Sequence, residues 1–260
     1  MDRLIKKLKE IGIGYETGSD GFSPERPTLV MIHGAGGRAQ MWLNQLRLSS
    51  RLNTLALDLP GHGHTPAKHN TPHIEAYATW LTETLDALFD CPVYLMGHSM
   101  GGAIVQKTAC GHPHQLAGII LVGTGPRLKV APVFLDGLRD RFAETVDSLI
   151  GFAYAPQTDP AIIHAGAQLM KAAGQSTVLN DFKACNRFGM GDAIKAIRLP
   201  CLIVCGESDK LTPPSLSQAL HQSIPSSTLK RIPEAGHMVM IEQPDNFNRC
   251  VLDFVSTSQA

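Results

Sequence analysis

Residues 91–109 read CPVYLMGHSMGGAIVQKTA. An apolar run over 93–96 is followed by Gly97, His98, Ser99, Met100, Gly101 and Gly102, and then by residues with helical spacing. Glycine weakens both strands and helices. A serine with glycine two places before and two places after it therefore needs a cause. A sharp turn from strand to helix supplies one, because the two backbones then approach where side chains would clash.

A G-x-S-x-G turn between a strand and a helix is a nucleophile elbow, on which the serine hydroxyl projects above the sheet. Gly97 and Gly101 relieve the crowding, and Gly102 and Ala103 keep the contact tight. The start of the helix points N–H groups at any anion that develops on the serine side.

Other short apolar runs repeat along the chain. They are TLVMIHG (28–34), NTLALDLPG (53–61), PVYLMGHS (92–99), AGIILVGTG (117–125), PCLIVCGESD (200–209) and STLKRIPEAGH (227–237). The first five are continuously apolar at their centres, the mark of strands buried on both faces of a parallel sheet. Helical patterns alternate with them. In TPHIEAYATWLTETLDALF, apolar residues recur every three or four places, with Thr71 as the expected N-cap and Pro72 at the first helical position. MGGAIVQKTACGH, PPSLSQALHQSI (213–224) and PDNFNRCVLDFV (244–255) read as further helices. Alternating strands and helices predict an α/β fold with a mainly parallel sheet flanked by helices. Between Gly125 and Asp192 the rhythm breaks. VFLDGLRDRFAETVDSLIGFAY, DPAIIHAGAQLMKAA and STVLNDFKAC are helical instead, which predicts a helical cap over 126–190 and a core over 1–125 and 191–260.

Ligands of an open parallel sheet bind at the carboxyl ends of its strands. A serine hydroxyl there needs a base, and the base needs an orienting acid; in folds that carry a G-x-S-x-G elbow these follow in the order serine, acid, histidine. Asp209 follows the strand LIVCG, and His237 lies between the last strand and the last helix. Glu207 is the rival acid; Asp192 precedes its strand and stands at the wrong end. An oxyanion needs two backbone donors, the N–H after the nucleophile and one from an early loop. Met100 supplies the first and Ala35, in HGAGG (33–37), the second, with His33 bracing that loop. Gly34 and Met238 are the expected pocket neighbours.

With these pieces in place, the chain resembles an α/β-hydrolase-fold protein, and among these a small serine carboxylesterase. The matching motifs are HGAGG with MW after it, DLPGHGHT (58–65), GHSMGG, GESDKLTPP and EAGHMVMIEQP. The resemblance implies a carboxylic ester hydrolase with a Ser99–His237–Asp209 triad, a small-molecule ester as substrate and no cofactor. Similar proteins also include lactonases, perhydrolases, C–C bond hydrolases and slow small-molecule receptors. C–C bond hydrolases usually carry a proline-containing loop where this chain has HGAGG. A serine at position 99 argues against the dehalogenases and epoxide hydrolases of this fold, which use a carboxylate there.

The rest of the composition fits an ordinary globular protein. Among 260 residues, 43% are apolar, and 23 Lys plus Arg balance 23 Asp plus Glu, so no basic field for nucleic acid or anionic lipid is expected. The six cysteines show no CxxC pair and read as buried, reduced thiols. MDRLIKKLKEIGIGY has no long apolar stretch behind its charges, so no signal peptide and no membrane span is expected, and the expected location is the cytoplasm. His62 and His64 form an H-x-H that reads as a structural loop, not a metal site. HGAGG lacks the Lys-Ser/Thr of a phosphate-binding loop. Phe134, Phe142, Phe152, Met170, Phe182, Phe188 and Met190 are expected mainly as core of the cap.

Overall fold

A computed structural model describes residues 2–67, 73–111 and 113–258. In chain order the helices and strands are α1 (Asp2–Glu10), β1 (Tyr15–Thr17), β2 (Thr28–Ile32), α2 (Leu43–Leu46), β3 (Asn53–Leu57), α3 (Ile74–Leu88), β4 (Val93–His98), α4 (Met100–Gly111) and β5 (Leu116–Val122). They continue with α5 (Pro132–Asp140), α6 (Phe142–Ala153), α7 (Pro160–Ala172), α8 (Gln175–Arg187), β6 (Cys201–Gly206), α9 (Pro214–Ser223), β7 (Ser227–Ile232), α10 (Val239–Glu242) and α11 (Pro244–Ser258).

Seven strands form one sheet in the order β1-β3-β2-β4-β5-β6-β7. All six strands expected from the apolar runs are present and pair in parallel. β3, β4 and β6 are buried along their whole length, as continuous apolar runs require. β7 alternates instead, because it is an edge strand with one face in solvent. The seventh strand, β1, lies outside the sequence expectation. Its three half-buried residues, Tyr-Glu-Thr, carry no apolar run, and it joins the opposite edge antiparallel to β3.

Two apolar layers hold the sheet. Val30, Ile32, Leu55, Leu95, Ile119 and Ile203 face one, with α3 and α4. Leu29, Met31, Met96, Ile120 and Leu202 face the other, which continues through Trp42 and Phe247 into α6 and the rest of the helical insertion between β5 and β6. This alternation is the period of two that a strand imposes on its side chains.

The strand order places the functional loops. From β2 the chain moves to β3 on one side and then crosses to β4 on the other. That reversal opens a crevice at the carboxyl ends of β2 and β4, where ligands of open α/β sheets bind.

Four helices, α5 to α8, lie between β5 and β6. The segment 133–154, which reads as one helical stretch, is two helices. Arg141 leaves helical geometry at φ −143°, and the Thr145 hydroxyl donates to its carbonyl at 2.8 Å. Gly137 makes room for the sharp reversal, since a Cβ there would meet the Thr145 side chain. α7 opens with Asp159, whose carboxylate accepts the Ala161 N–H at 2.8 Å, and Pro160 at the first helical place. The expected cap at Thr71 and Pro72 falls outside the described residues.

The cysteine expectation needs one correction. All six are free, but only Cys185, Cys201 and Cys205 are buried; Cys110 and Cys250 are half-buried and Cys91 is exposed. Cys91 precedes β4 in the turn after α3, outside both apolar layers.

Candidate active site

Ser99 follows β4 directly and takes φ +54°, a left-handed conformation rare for a residue with a Cβ. Hydrogen bonds at both its main-chain N–H and its carbonyl hold it there. Its N–H donates to the Val122 carbonyl at 2.8 Å, and its carbonyl accepts the Thr124 hydroxyl at 2.9 Å. The glycines have the expected cause. A Cβ at Gly97 would strike the Gly101 and Gly102 backbone, and one at Gly101 would strike the carbonyls of Ile32 and His33. The turn therefore brings α4 hard against the loop after β2. The Met100 N–H, first in α4, has no carbonyl one turn back to bond.

Asp209 and His237 come together at the carboxyl ends of β6 and β7. The His237 Nδ1–H donates to Asp209 Oδ2 at 2.9 Å, and both side chains are buried. Asp209 accepts three more bonds, from the Leu211 and Thr212 N–H groups on Oδ1 (2.9 and 2.8 Å) and from the Thr212 hydroxyl on Oδ2 (2.8 Å). Burial alone would raise this carboxyl. The charge and hydrogen bond of His237, with the Thr212 donors, outweigh it and hold Asp209 below its ordinary value. Thr212 also lies 3.0 Å from His237 Nδ1 and is a site residue the sequence reading did not single out. Its signal is local: a threonine three places after the aspartate, where a side chain and an N–H reach back to one carboxylate. Glu207 is exposed and makes no side-chain bond to His237, and Asp192 pairs with Lys195 on the surface.

His98 is the second addition. It is buried, and its Nε2 lies 3.0 Å from the His237 carbonyl. Burial, then the charge of His237, push it down to about 3. It is therefore neutral, with Nε2–H as donor.

The loop 33–37 faces Ser99 across the crevice. Gly34 packs on His98 and Ser99, where a Cβ would meet His98 Nδ1 at 2.9 Å. His33 braces the loop as expected: Nδ1–H donates to the Gly34 carbonyl at 2.8 Å and Nε2 accepts the Leu59 N–H at 3.1 Å. Burial, then the charge of His62, push His33 down to about 3. His62 and His64 are loop residues as well. His62 Nε2 meets Asp181 at 2.8 Å and Nδ1 meets the Pro60 carbonyl at 3.2 Å, while the His64 N–H bonds Asp58. Among the described residues no group of three His, Cys, Asp or Glu side chains is placed to hold a metal ion.

A cavity of about 710 Å³ joins these parts. Gly34, Ala35, Ser99, His237 and Met238 line its core side, and Phe134, Leu149, Ile150, Met170 and Phe182 line it from the insertion. Phe188 and Met190 are buried in the core, Phe142 is half-buried, and Phe152 is exposed; none of the four lines the cavity. Arg127, Lys129 and Lys210 line its exposed edge, and among the described residues no aspartate or glutamate does.

Sheet order, elbow and crevice agree with the family comparison. The alpha/beta hydrolase family matches residues 29–249, and this chain belongs to it. It is 28% identical to a protein named putative 2-succinyl-6-hydroxy-2,4-cyclohexadiene-1-carboxylate synthase of Bacillus subtilis, over 95% of this chain and 96% of that protein. It is 30% identical to a 2-hydroxy-6-oxo-2,4-heptadienoate hydrolase of Pseudomonas putida, over 94% of each chain. A solved structure described as a thermophilic esterase superposes with a TM-score of 0.84 at 29% identity, covering 95% of this chain and 94% of that one. Among the described residues no helix is long and apolar enough to cross a membrane.

Proposed function

We propose that this chain hydrolyses a carboxylic ester bearing a second, anionic group, through an acyl-enzyme on Ser99. The observation that carries the reading is the buried His237–Asp209 bond at 2.9 Å, on the rim of the cavity that Ser99 also lines. With Nδ1 bound to Asp209, the free ring nitrogen of His237 is Nε2. Ser99 Oγ attacks the ester carbonyl carbon while Nε2 takes its proton. The tetrahedral oxyanion accepts the Ala35 and Met100 N–H groups. Nε2 returns the proton as the C–O bond to the alcohol breaks. Water, deprotonated by the same nitrogen, then releases the acid and restores Ser99. No cofactor enters this cycle. Residues 126–190 act as a cap whose apolar side chains set the fit of the substrate.

Arg127, Lys129 and Lys210 point to the anionic group. Three cations edge a cavity that no carboxylate among the described residues lines, in a chain of zero net charge. The names of both curated relatives contain a carboxylate, the charge these side chains would meet. The name of the second, a 2-hydroxy-6-oxo-2,4-heptadienoate hydrolase, favours hydrolysis of an oxo-dienoate as the second reading.

The test is turnover of p-nitrophenyl esters from acetate to long acyl chains, beside ω-carboxylated acyl esters of equal length, by the native chain and Ser99→Ala. Sustained turnover that is lost in the variant and highest for carboxylated esters is expected. Equal rates in both proteins would overturn the assignment of Ser99. A burst of about one equivalent would instead indicate a receptor.

A further inference from the structure

Asp181 is a fully buried carboxylate on α8 of the insertion, and it is bound to three parts of the core. Its Oδ2 accepts the Gly36 N–H at 2.8 Å and His62 Nε2 at 2.8 Å, and its Oδ1 accepts the Tyr77 hydroxyl at 3.1 Å. A buried carboxylate is costly unless it is paired and hydrogen-bonded. Both ring nitrogens of His62 face acceptors, Asp181 and the Pro60 carbonyl, so the imidazolium satisfies both. Burial opposes that charge, but Asp181 outweighs it and His62 is raised above its ordinary value.

The placement of the first bond matters most. Gly36 is the residue after Ala35, and it takes φ +63°. Bonding to Asp181 aims the Gly36 N–H at the insertion and fixes the peptide that follows Ala35. A Cβ at Gly36 would meet Met170 and Val178 at 2.9 and 3.1 Å, so α7 and α8 press on the same point. Beneath the loop, His33 holds the Gly34 carbonyl at 2.8 Å, and its ring lies 4.9 Å from that of His62. The loop is thus clamped from the core at Gly34 and from the insertion at Gly36, with Ala35 between.

We infer that Asp181 is a positioning residue for catalysis: from the insertion, it holds the Ala35 N–H in the place where the oxyanion forms. This inference rests on the proposed ester hydrolysis and on Ala35 as a donor. Without Asp181 the insertion still closes the cavity, but the loop loses its outer clamp. Substrate binding then survives, while stabilisation of the tetrahedral intermediate fails. Misplacing a group by about 1 Å, or losing one oxyanion donor, costs about a hundredfold in rate.

The experiment compares the native chain with Asp181→Ala, Asp181→Asn, Asp181→Glu and Ser99→Ala, using the ester turned over fastest by the native protein. The readouts are kcat, KM and inhibition by a trifluoromethyl ketone matched to the acyl group, whose adduct with serine places an oxyanion in the same hole. Asp181→Ala is expected to lower kcat about a hundredfold with KM within about threefold, and to weaken the ketone in parallel with kcat/KM. Asp181→Asn keeps an acceptor for Gly36 and recovers most of the loss. Should Asp181→Ala fail to fold, Asp181→Glu carries the test: it keeps the charge but lengthens the arm by one methylene, so kcat and ketone affinity fall together by tenfold or more. Native kcat in the folded Ala or Glu variant, or a loss confined to KM, would overturn the inference while Ser99→Ala stays inactive. If Ser99→Ala keeps native turnover, the ester-hydrolase reading itself has failed.

Discussion

His98 Nε2 lies 3.0 Å from the main-chain oxygen of His237, so the residue before Ser99 holds the backbone of His237. The two rings sit 4.6 Å apart, and the Gly34 backbone closes over His98 Nδ1. One buried neutral imidazole therefore ties together the elbow, the loop 33–37 and the loop that carries His237. Replacing it with alanine leaves the His237 carbonyl unpaired. The expected loss is about 1–3 kcal/mol of stability, with a fall in kcat larger than any change in KM. Thermal unfolding and steady-state kinetics of His98→Ala check both.

His33 and His98 are both buried with their protonated forms disfavoured, each at about 3 against an ordinary 6.5. The unfolded chain binds more protons than the folded one across that interval. Stability is thus complete above pH 6.5 and falls as pH drops toward 3, by about 2 kcal/mol per histidine at pH 5. His62 works in the opposite sense: raised above its ordinary value, its contribution is full below pH 6.5 and is lost as pH rises through its folded value. Denaturant unfolding at pH 7 and pH 5 should show a clear net loss in acid, and a shallower one in His98→Gln relative to that variant at pH 7.

Asp209 is held below its ordinary carboxylate value, so its contribution is present above about pH 4 and is lost only as pH falls through the lower folded value. Asp209→Asn removes the charge that orients His237. A fall in kcat of about 10⁴-fold is expected, with a folded chain by circular dichroism. Thr212→Val removes one of four bonds to the carboxylate and should cost less than tenfold; a loss as large as that of Asp209→Asn would show that the hydroxyl, not the carboxylate, orients the ring.

Ser99 pays for its left-handed φ of +54° with backbone strain. Glycine relieves that strain and alanine does not. Both variants should be inactive, but Ser99→Gly should be more stable than Ser99→Ala by about 1 kcal/mol. Equal melting temperatures for the two would mean that the elbow stores no strain.

Arg127, Lys129 and Lys210 edge a cavity that no aspartate or glutamate among the described residues lines. Lys129→Ala and Lys210→Ala should raise KM for carboxylated esters severalfold, leave neutral esters unchanged, and reduce the effect of added salt on the former. A uniform change for both ester types would remove the anionic group from the reading.

Much of this molecule is legible in local pattern, because strands, helices and sharp turns answer to neighbours along the chain. Continuous apolar runs mark the buried strands, and β1 escapes because an edge strand of Tyr-Glu-Thr buries too little to need such a run. Gly97, Ser99 and Gly101 announce the elbow because their spacing is the steric requirement itself. By chain order alone, Asp209 and His237 stand at strand ends, and their 2.9 Å contact follows from two neighbouring strands of one sheet, β6 and β7.

The partners of polar side chains were decided elsewhere. His62 looks like half of a metal site or an idle loop residue until α8 brings Asp181 to it from 119 positions away. Asp181 reaches Gly36 across 145 positions, and His98 reaches His237 across 139. Nothing in the period of a helix or strand encodes such a pairing. The sequence by itself determined where the backbone turns and which faces are apolar, since those are short-range and steric. Only the tertiary structure decided which buried charge meets which donor, since that depends on how the insertion seats on the sheet and on the cost of leaving any buried polar group alone.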